Sequence, residues 1–204
     1  MEARILNSQG ILEGDTIIMP FSKKVYTIAD IEALQEGERA ELINGEMFML
    51  ASPNAMHQEL LGTLHVAIYS YIKGNKGKCK VYVAPYSVYL HNDEKTYLEP
   101  DIAVICSKDK MDIKGCHGAP DWVIEITSPA TQARDYGIKL EEYRKAGVAE
   151  YWIVDPGKGQ VTVHCLHAGT SAGTYSFTEK VPVGIYNGFT IDFKEITEGL
   201  ADYS

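Results

Sequence analysis

A short apolar run in the middle of the chain contains a charged residue, and this combination limits what the segment can become. Residues 122–126 have the sequence Trp-Val-Ile-Glu-Ile, which is typical of a central strand covered on both faces. A carboxylate in such a strand is costly to bury without a partner. Glu125 therefore needs a metal ion, a cation or several hydrogen bonds.

A second acidic residue precedes another predicted buried strand. Asp101 follows Pro100 and is followed by the apolar run 102–105. Two carboxylates on neighbouring strands repel each other unless a cation lies between them. Mg²⁺, or Mn²⁺ in its place, is bound by one or two carboxylates together with water and phosphate oxygens. Asp101 and Glu125 are the predicted metal ligands, and the backbone carbonyl of Ile126 would complete the shell.

A predicted helix over 131–146 follows the Glu125 strand and ends at Gly147, a favourable residue after a helix. Lys139 on this helix would bring a positive charge close to the nucleophile or the scissile group. Asp135 lies one turn before Lys139. The spacing leaves a second interpretation open, in which Asp101 caps a turn and Lys139 pairs with Glu125 in the interior or with Asp135 on the helix surface.

Glu41 and His57 are further candidates, for an accessory role. Glu41 and Glu46 flank an Asn-Gly pair that predicts a hairpin with a type I′ turn, and hairpin carboxylates are usually solvated. His57 falls in the first turns of a long predicted helix that begins at Pro53. His57 would contact a metal-bound water or a phosphate, and the alternative is a polar contact without chemical role.

The length of 204 residues suits one domain, 1–204, with an N-terminal extension over 1–25 and a C-terminal tail over 184–204. Strand and helix patterns alternate, and the strand–helix–strand step over 122–154 predicts a crossover unit. The expected fold class is therefore α/β (α+β), with a mixed sheet flanked by helices.

No apolar run reaches the length of a membrane span, and the N-terminal segment lacks the apolar core of a signal peptide. A cytoplasmic protein without membrane association is expected. The four cysteines are widely spaced, and no pair has zinc-ligand spacing. A reducing compartment argues against disulfides, so they are expected to be thiols. They are Cys79, Cys106, Cys116 and Cys165.

The net charge of −9 argues against a protein that binds nucleic acid mainly by neutralising phosphates. Two local basic segments, 73–80 and 134–145, could still contact a nucleic acid, and the simpler alternative for the first is a solvated loop. Tyr82, Tyr86 and Tyr89 would either stack on bases or fill a half-buried sheet face.

The order of these residues resembles the Uma-type family of restriction endonucleases, which belongs to the PD-(D/E)XK nuclease superfamily. The resemblance runs from about Thr27 to Val183 and rests on Pro100-Asp101, Glu125 with Ser128-Pro129, Asp135, Lys139, the segment 150–156, the segment 41–46 and His57. It implies a restriction endonuclease-like fold with a central mixed sheet, and a divalent metal held by Asp101 and Glu125.

One position departs from the superfamily pattern. The superfamily has a lysine two residues after the glutamate, and Thr127 stands there in this chain. The resemblance suggests that Lys139, on the following helix, replaces that lysine.

Two functions from different classes follow. The first is a divalent-metal-dependent endonuclease that hydrolyses DNA, with RNA as the less favoured substrate, and that acts as a homodimer because cleavage of both strands needs two sites. The second is a non-catalytic homodimeric domain that keeps the fold and binds nucleic acid or serves as a scaffold. Thr127 and the net charge favour the second function, whereas the presence of Asp101, Glu125 and Lys139 together favours the enzyme.

Overall fold

The computed structural model describes residues 24–91, 93–167, 171–198 and 200. Most of the predicted N-terminal extension, residues 1–23, and residues 201–204 of the predicted tail lie outside this description. The helices are α1 (Ile28–Glu32), α2 (Ala55–Gly74), α3 (Gln132–Arg134), α4 (Leu140–Ala146) and α5 (Phe193–Thr197). The strands are β1 (Ala40–Ile43), β2 (Glu46–Met49), β3 (Lys80–Val83), β4 (Val88–Tyr89), β5 (Ile102–Ile105), β6 (Cys116–His117), β7 (Trp122–Ile126), β8 (Glu150–Asp155), β9 (Gln160–Cys165), β10 (Ser171–Ser176), β11 (Lys180–Pro182) and β12 (Thr190–Asp192).

A six-stranded sheet with the spatial order β10-β9-β8-β7-β5-β3 forms the centre of the molecule. Within it β7 and β8 are parallel, and the other neighbouring strands are antiparallel. The chain passes from β7 to β8 through the helical segment 132–146. The predicted mixed sheet and the crossover over 122–154 are therefore confirmed.

Both faces of the central strand β7 are covered. Trp122, Ile124 and Ile126 belong to a hydrophobic cluster that includes the buried side of α2. Val123 belongs to a second cluster that includes Tyr143 of α4. All five residues of β7 are buried, so the strand is covered on both faces, as its apolar run predicts, and the carboxylate of Glu125 lies in the interior.

Local sequence signals specify several of the turns around this sheet. The Thr27–Asp30 capping box is present at the start of α1. Asn44 and Gly45 have φ angles of 51° and 81° and connect β1 to β2, as a type I′ turn requires. Gly147 has a φ of 88° and ends α4. The Asn44-Gly45 turn and Gly147 were predicted from residue type, because few residues adopt positive φ without cost.

Two helical features differ from the expectation. The helix predicted over 131–146 is divided into α3, a π-helical segment from Asp135 to Lys139, and α4. Helix α5 was not predicted, and its residues Phe193 and Ile196 are buried in the cluster beside α2. Residues 193–197 of the predicted tail therefore contribute to the core.

The expectation that the cysteines form no disulfide is wrong for one pair. Cys79 and Cys106 form a disulfide, with their Cα atoms 3.9 Å apart. The antiparallel pairing of β3 with β5 places Lys80 opposite Ile105, and the two cysteines are the next pair in this register. Strand pairing brings them together across 27 residues of sequence, which spacing alone does not reveal. Cys116 and Cys165 are not part of a disulfide among the described residues.

No helix in the described ranges combines the length and the hydrophobicity that crossing a membrane requires.

The disulfide predicts a specific pattern of chemical labelling. Protein denatured without reductant and treated with iodoacetamide should carry label on Cys116 and Cys165, and all four cysteines should react after reduction. Reduction should also lower the free energy of unfolding by about 3–4 kcal/mol if the chain-entropy account of cross-links holds. Peptide mass spectrometry and urea unfolding measure the two effects. Labelling of Cys79 without reductant would show that the pair is not bonded.

Candidate active site

A cleft of about 720 Å³ lies beside the ends of β5 and β7. Every residue predicted for the site lines this one cleft. They are Glu41, His57, Asp101, Glu125, Ile126, Thr127, Asp135 and Lys139. The chain brings them together from β1, α2, the start of β5, β7 and the π-helical segment, whereas their chemical roles stay predictions.

Lys139 lies at the centre of the acidic residues. Its Nζ is 2.8 Å from Glu41 Oε1, 3.0 Å from Glu125 Oε1 and 3.7 Å from Asp135 Oδ1. The side chain is only 5% exposed. The ammonium group therefore points at carboxylates and not at solvent, and the interpretation of Lys139 as a surface residue paired with Asp135 is wrong.

The helix after β7 sets the orientation of this lysine. Asp135 and Lys139 begin and end the π-helical segment, and both are buried. Tyr143 follows Lys139 by four residues on the same side of the helix and donates a hydrogen bond of 2.9 Å to Glu125 Oε1. One oxygen of Glu125 thus accepts from both Lys139 and Tyr143, which satisfies the requirement that a carboxylate in β7 has partners.

Asp101 lies at the start of β5, next to the Glu125 position. Ile102 pairs with Ile124, so the same register continued by one residue places Asp101 opposite Glu125. Asp101 Oδ2 accepts a 2.7 Å hydrogen bond from the backbone N–H of Ile126. The carboxylate thus receives a backbone N–H of the neighbouring strand. The contact with Ile126 uses its N–H, and a ligand role for its carbonyl stays a prediction.

His57 approaches the same oxygen of Asp101 from α2. Its Nε2 is 3.2 Å from Asp101 Oδ2, and the Asn54 side chain caps the helix by accepting a hydrogen bond from the His57 N–H. Burial lowers the pKa of His57, but the hydrogen bond to Asp101 and the charge of Asp101 outweigh this effect and raise the pKa. His57 is therefore a direct neighbour of a predicted metal ligand.

Glu41 is buried, at 1% exposure, so the solvated interpretation of this hairpin carboxylate is wrong. Its Oε1 accepts from Lys139 and from the Glu99 backbone N–H at 3.2 Å. Its Oε2 is buried and has no hydrogen-bond partner among the described residues, and the same holds for Asp135 Oδ1. The cleft thus contains buried carboxylate oxygens with unused acceptor capacity.

Negative charge exceeds positive charge in this cluster. Burial raises the pKa of Glu125 well above its usual value, and the charges of Glu41, Asp135 and Asp101 add to the effect against the opposing charge of Lys139. Burial lowers the pKa of Lys139, but the surrounding carboxylates outweigh burial and raise it. The surrounding carboxylates therefore favour the charged form of Lys139.

Comparison with models of known protein families identifies the family of this chain. Residues 27–192 match the family model of Uma2, which is described as "Putative restriction endonuclease". The chain belongs to the Uma2 family. The family expected from the order of Asp101, Glu125 and Lys139 is thus confirmed over most of the chain.

A solved structure supports the fold of this Uma2 chain. A crystal structure from Anabaena variabilis ATCC 29413, described as "a putative nuclease belonging to DUF820", aligns with a TM-score of 0.68 and 20% sequence identity. The alignment covers 83% of this chain and 96% of the other. At this identity the likeness shows the shared fold, and the expected mixed sheet flanked by helices is confirmed. No curated protein matches the chain.

Thr127 is the position at which this Uma2 chain departs from the superfamily lysine. Its side chain is buried, and its hydroxyl lies 3.4 Å from the Ser128 carbonyl and 3.3 Å from the Thr131 hydroxyl. It follows Glu125 by two residues, so both side chains leave the strand on the same side. Thr127 brings no charge to the cleft, and Lys139 is the lysine that contacts Glu125.

The donor atoms of the cleft suit a hard divalent cation. Carboxylate oxygens are the preferred ligands of Mg²⁺, which needs only one or two of them beside water and phosphate oxygens. Glu41 Oε2 and Asp135 Oδ1 accept no hydrogen bond from the described residues, although Asp135 Oδ1 lies 3.7 Å from the Lys139 ammonium. In the described part of the chain no group of three or more His, Cys, Asp or Glu side chains is arranged to hold a metal ion by itself. An ion held here would need substrate or water oxygens to complete its shell, and metal binding stays a prediction.

Several residues around the site were not predicted from the sequence. Tyr143 supports Glu125, and its position four residues after Lys139 was the available signal. Asp155 ends β8 and accepts hydrogen bonds from the Gln132 side chain at 2.9 Å and the Lys158 N–H at 3.1 Å. Its place in the Tyr-Trp-Ile-Val-Asp run marked a strand end but not a contact with the helix. These residues brace the helical segment that carries Lys139.

Replacement of Lys139 by methionine should destabilise the protein strongly. The change leaves Glu41, Glu125 and Asp135 buried without their shared cation, and breaking a buried ion pair in this way costs about 3–5 kcal/mol. The matched control is Lys114→Met, which removes a lysine that is 67% exposed and lies 3.9 Å from Glu32, itself 63% exposed, at a cost of about 0–1 kcal/mol. Urea unfolding measures both variants. Equal stability of the two would contradict the central position of Lys139.

Proposed function

We propose that this Uma2-family protein is a divalent-metal-dependent endonuclease that hydrolyses phosphodiester bonds in DNA. The observation that carries the proposal is the convergence of Asp101, Glu125 and Lys139 in one cleft. The family description supports DNA over RNA, since restriction enzymes cut DNA. We also propose a cytoplasmic location, where a DNA substrate is accessible; the Cys79–Cys106 disulfide argues against it, because disulfides are rare in that compartment.

Asp101 and Glu125 would hold Mg²⁺ or Mn²⁺, together with the carbonyl of Ile126. A bound ion of this kind supplies Lewis acidity toward a phosphate oxygen and a water of lowered pKa. Asp101 Oδ2 is engaged by Ile126 and His57, which orients the carboxylate. Its Oδ1 accepts no hydrogen bond from the described residues and is the oxygen that we assign to the ion.

Lys139 would act through its charge. Three carboxylates surround its ammonium group, and they raise its pKa, which favours a role for its charge over a role as proton acceptor. Preorganised charge in a partly dry site stabilises a transition state without reorganisation at the moment of reaction. Lys139 would hold Glu125 and Glu41 in place and offset their repulsion before a phosphate enters.

His57, Glu41, Asp135 and Thr127 would have accessory roles. His57 holds one oxygen of Asp101. Glu41 and Asp135 share the charge of Lys139 with Glu125. Thr127 would shape the cleft wall beside Glu125. None of these four needs to touch the reacting phosphate for the proposed chemistry.

A second candidate function is a non-catalytic domain that binds nucleic acid or serves as a scaffold. Two observations favour it. Thr127 replaces the superfamily lysine, and the ammonium of Lys139 is already engaged by carboxylates. This candidate predicts nucleic-acid binding without cleavage in Mg²⁺ or Mn²⁺, whereas the endonuclease predicts cleavage that EDTA abolishes.

The Asp101→Asn variant tests the proposed enzyme. The amide keeps the shape of the side chain but removes the negative charge that an ion requires. We expect loss of Mn²⁺ binding in calorimetry and loss of plasmid cleavage on the order of 10² or more, with the fold retained. The control is Asp109→Asn, which changes an exposed aspartate outside the cleft. Mn²⁺ binding by Asp101→Asn equal to that of the wild type would refute the metal assignment.

A homodimer is the proposed assembly, because a two-fold symmetric pair supplies one cleft to each strand of a duplex. Multi-angle light scattering at micromolar concentration should give twice the chain mass of 22.6 kDa. In plasmid cleavage, linear product should appear without accumulation of nicked circles. A monomer mass in the absence and presence of DNA would exclude this assembly.

A further inference from the structure

Four lysine and arginine side chains line the cleft, and they differ in their partners. Arg39 pairs with Glu99 at 2.6 Å, Lys158 pairs with Asp155 at 3.1 Å, and Lys139 pairs with Glu41 and Glu125. Arg134 has no carboxylate within ion-pair distance among the described residues. Its guanidinium lies over the ring of Phe48, with 4.7 Å between its central carbon and the ring centroid.

Arg134 lies close to the acidic cluster both along the chain and across the β1–β2 hairpin. Along the chain it directly precedes Asp135, whose carboxylate faces Lys139. Across the β1–β2 hairpin, Phe48 is the register partner of Glu41. Directly opposed residues in an antiparallel pair project to the same face with Cβ atoms about 4.5–5.5 Å apart. Phe48, on which Arg134 stacks, is therefore the immediate neighbour of Glu41, which contacts Lys139.

The stacked geometry leaves the donors of Arg134 available. A cation over an aromatic face is held without using its N–H groups, and arginine presents five of them in a planar fork that matches phosphate oxygens. Arg134 is half-buried at the cleft wall, so it is ordered and still accessible. The other described cations of the cleft already contact carboxylates. Arg134 is therefore the cation whose donors can bind an anion.

We propose that Arg134, seated on Phe48, forms a phosphate subsite that holds the nucleic-acid backbone beside the bond to be cleaved. This inference rests on the proposed endonuclease function and adds the group that positions its substrate. Arg134 is the part of the basic segment 134–145 that the subsite uses. Arg144 and Lys145 in that segment pair with Glu141 and Glu142 instead.

The test compares Arg134→Gln, Arg134→Lys and the control Arg144→Gln in the full-length protein. Binding of a short fluorescein-labelled DNA is measured by anisotropy in EDTA over a series of KCl concentrations. Arg134→Gln should raise the Kd about tenfold or more, as loss of a charged hydrogen bond does, and reduce the slope of log K against log salt by about 1. Arg134→Lys should restore the slope and only part of the affinity, because a lysine lacks the planar fork.

The control and a stability measurement separate this role from a structural one. Arg144→Gln should keep the wild-type Kd and salt slope. An arginine that only packs on Phe48 would change the melting temperature of Arg134→Gln and leave the salt slope unaltered. A wild-type slope and Kd in Arg134→Gln would overturn the subsite.

Cleavage kinetics distinguish failure of the subsite from failure of the proposed function. In Mg²⁺, Arg134→Gln should raise KM by a larger factor than it lowers kcat. A wild-type protein that binds DNA without cutting it would refute the endonuclease, while the binding data would still decide the role of Arg134. Cleavage by Arg134→Gln with wild-type KM would refute the subsite alone. Absence of DNA binding by the wild type both in EDTA and in Ca²⁺, which occupies a carboxylate site without supporting cleavage, would overturn both.

Discussion

The contact between the Lys139 ammonium and its buried carboxylates is the interaction on which the site depends. Glu41 comes from the hairpin, Glu125 from the central strand, and Asp135 from the helix that follows. Without the lysine, these like charges would repel one another in an interior that weakly screens them. One cation thus joins three elements of the fold and makes an acidic cleft compatible with a folded chain.

The acidic cleft also bears on how a chain with a negative net charge would bind nucleic acid. A net charge of −9 disfavours a protein that attracts nucleic acid by its surface as a whole. The cleft instead contains an excess of carboxylates, which suits a divalent cation, and one arginine whose donors are free of carboxylate partners. Attraction of a phosphate would then arise locally, from a bound ion and Arg134, and would not require a basic surface.

The proposed replacement of a strand lysine by Lys139 has a physical consequence. A lysine at the Thr127 position would leave the strand beside Glu125, two residues away. Lys139 approaches instead from the π-helical segment and is braced by Tyr143, which donates to the same oxygen of Glu125. The position of the charge beside Glu125 thus depends on the helical segment that carries Lys139. A change that destabilises this segment would also move the charge.

Residue type alone predicted the features that depend on neighbouring positions. The apolar run around Glu125 identified a strand covered on both faces, and Asn44-Gly45 identified the turn between β1 and β2. The family's order of residues selected Asp101, Glu125 and Lys139 for one site, and the cleft contains all three. The strand and turn predictions succeed because strand burial and turn conformation are governed by local steric and solvation terms, whereas the chemical roles of the three site residues stay predictions.

Only the tertiary structure decided which distant residues meet. Glu41 became a buried partner of Lys139 and not a solvated hairpin residue, because the hairpin folds onto the helix after β7. Cys79 and Cys106 meet because β3 and β5 are neighbours in the sheet, and Phe48 lies under Arg134 because β2 faces the same helix. Such contacts depend on strand order and packing, and these are properties of the whole chain that no local pattern of residues encodes.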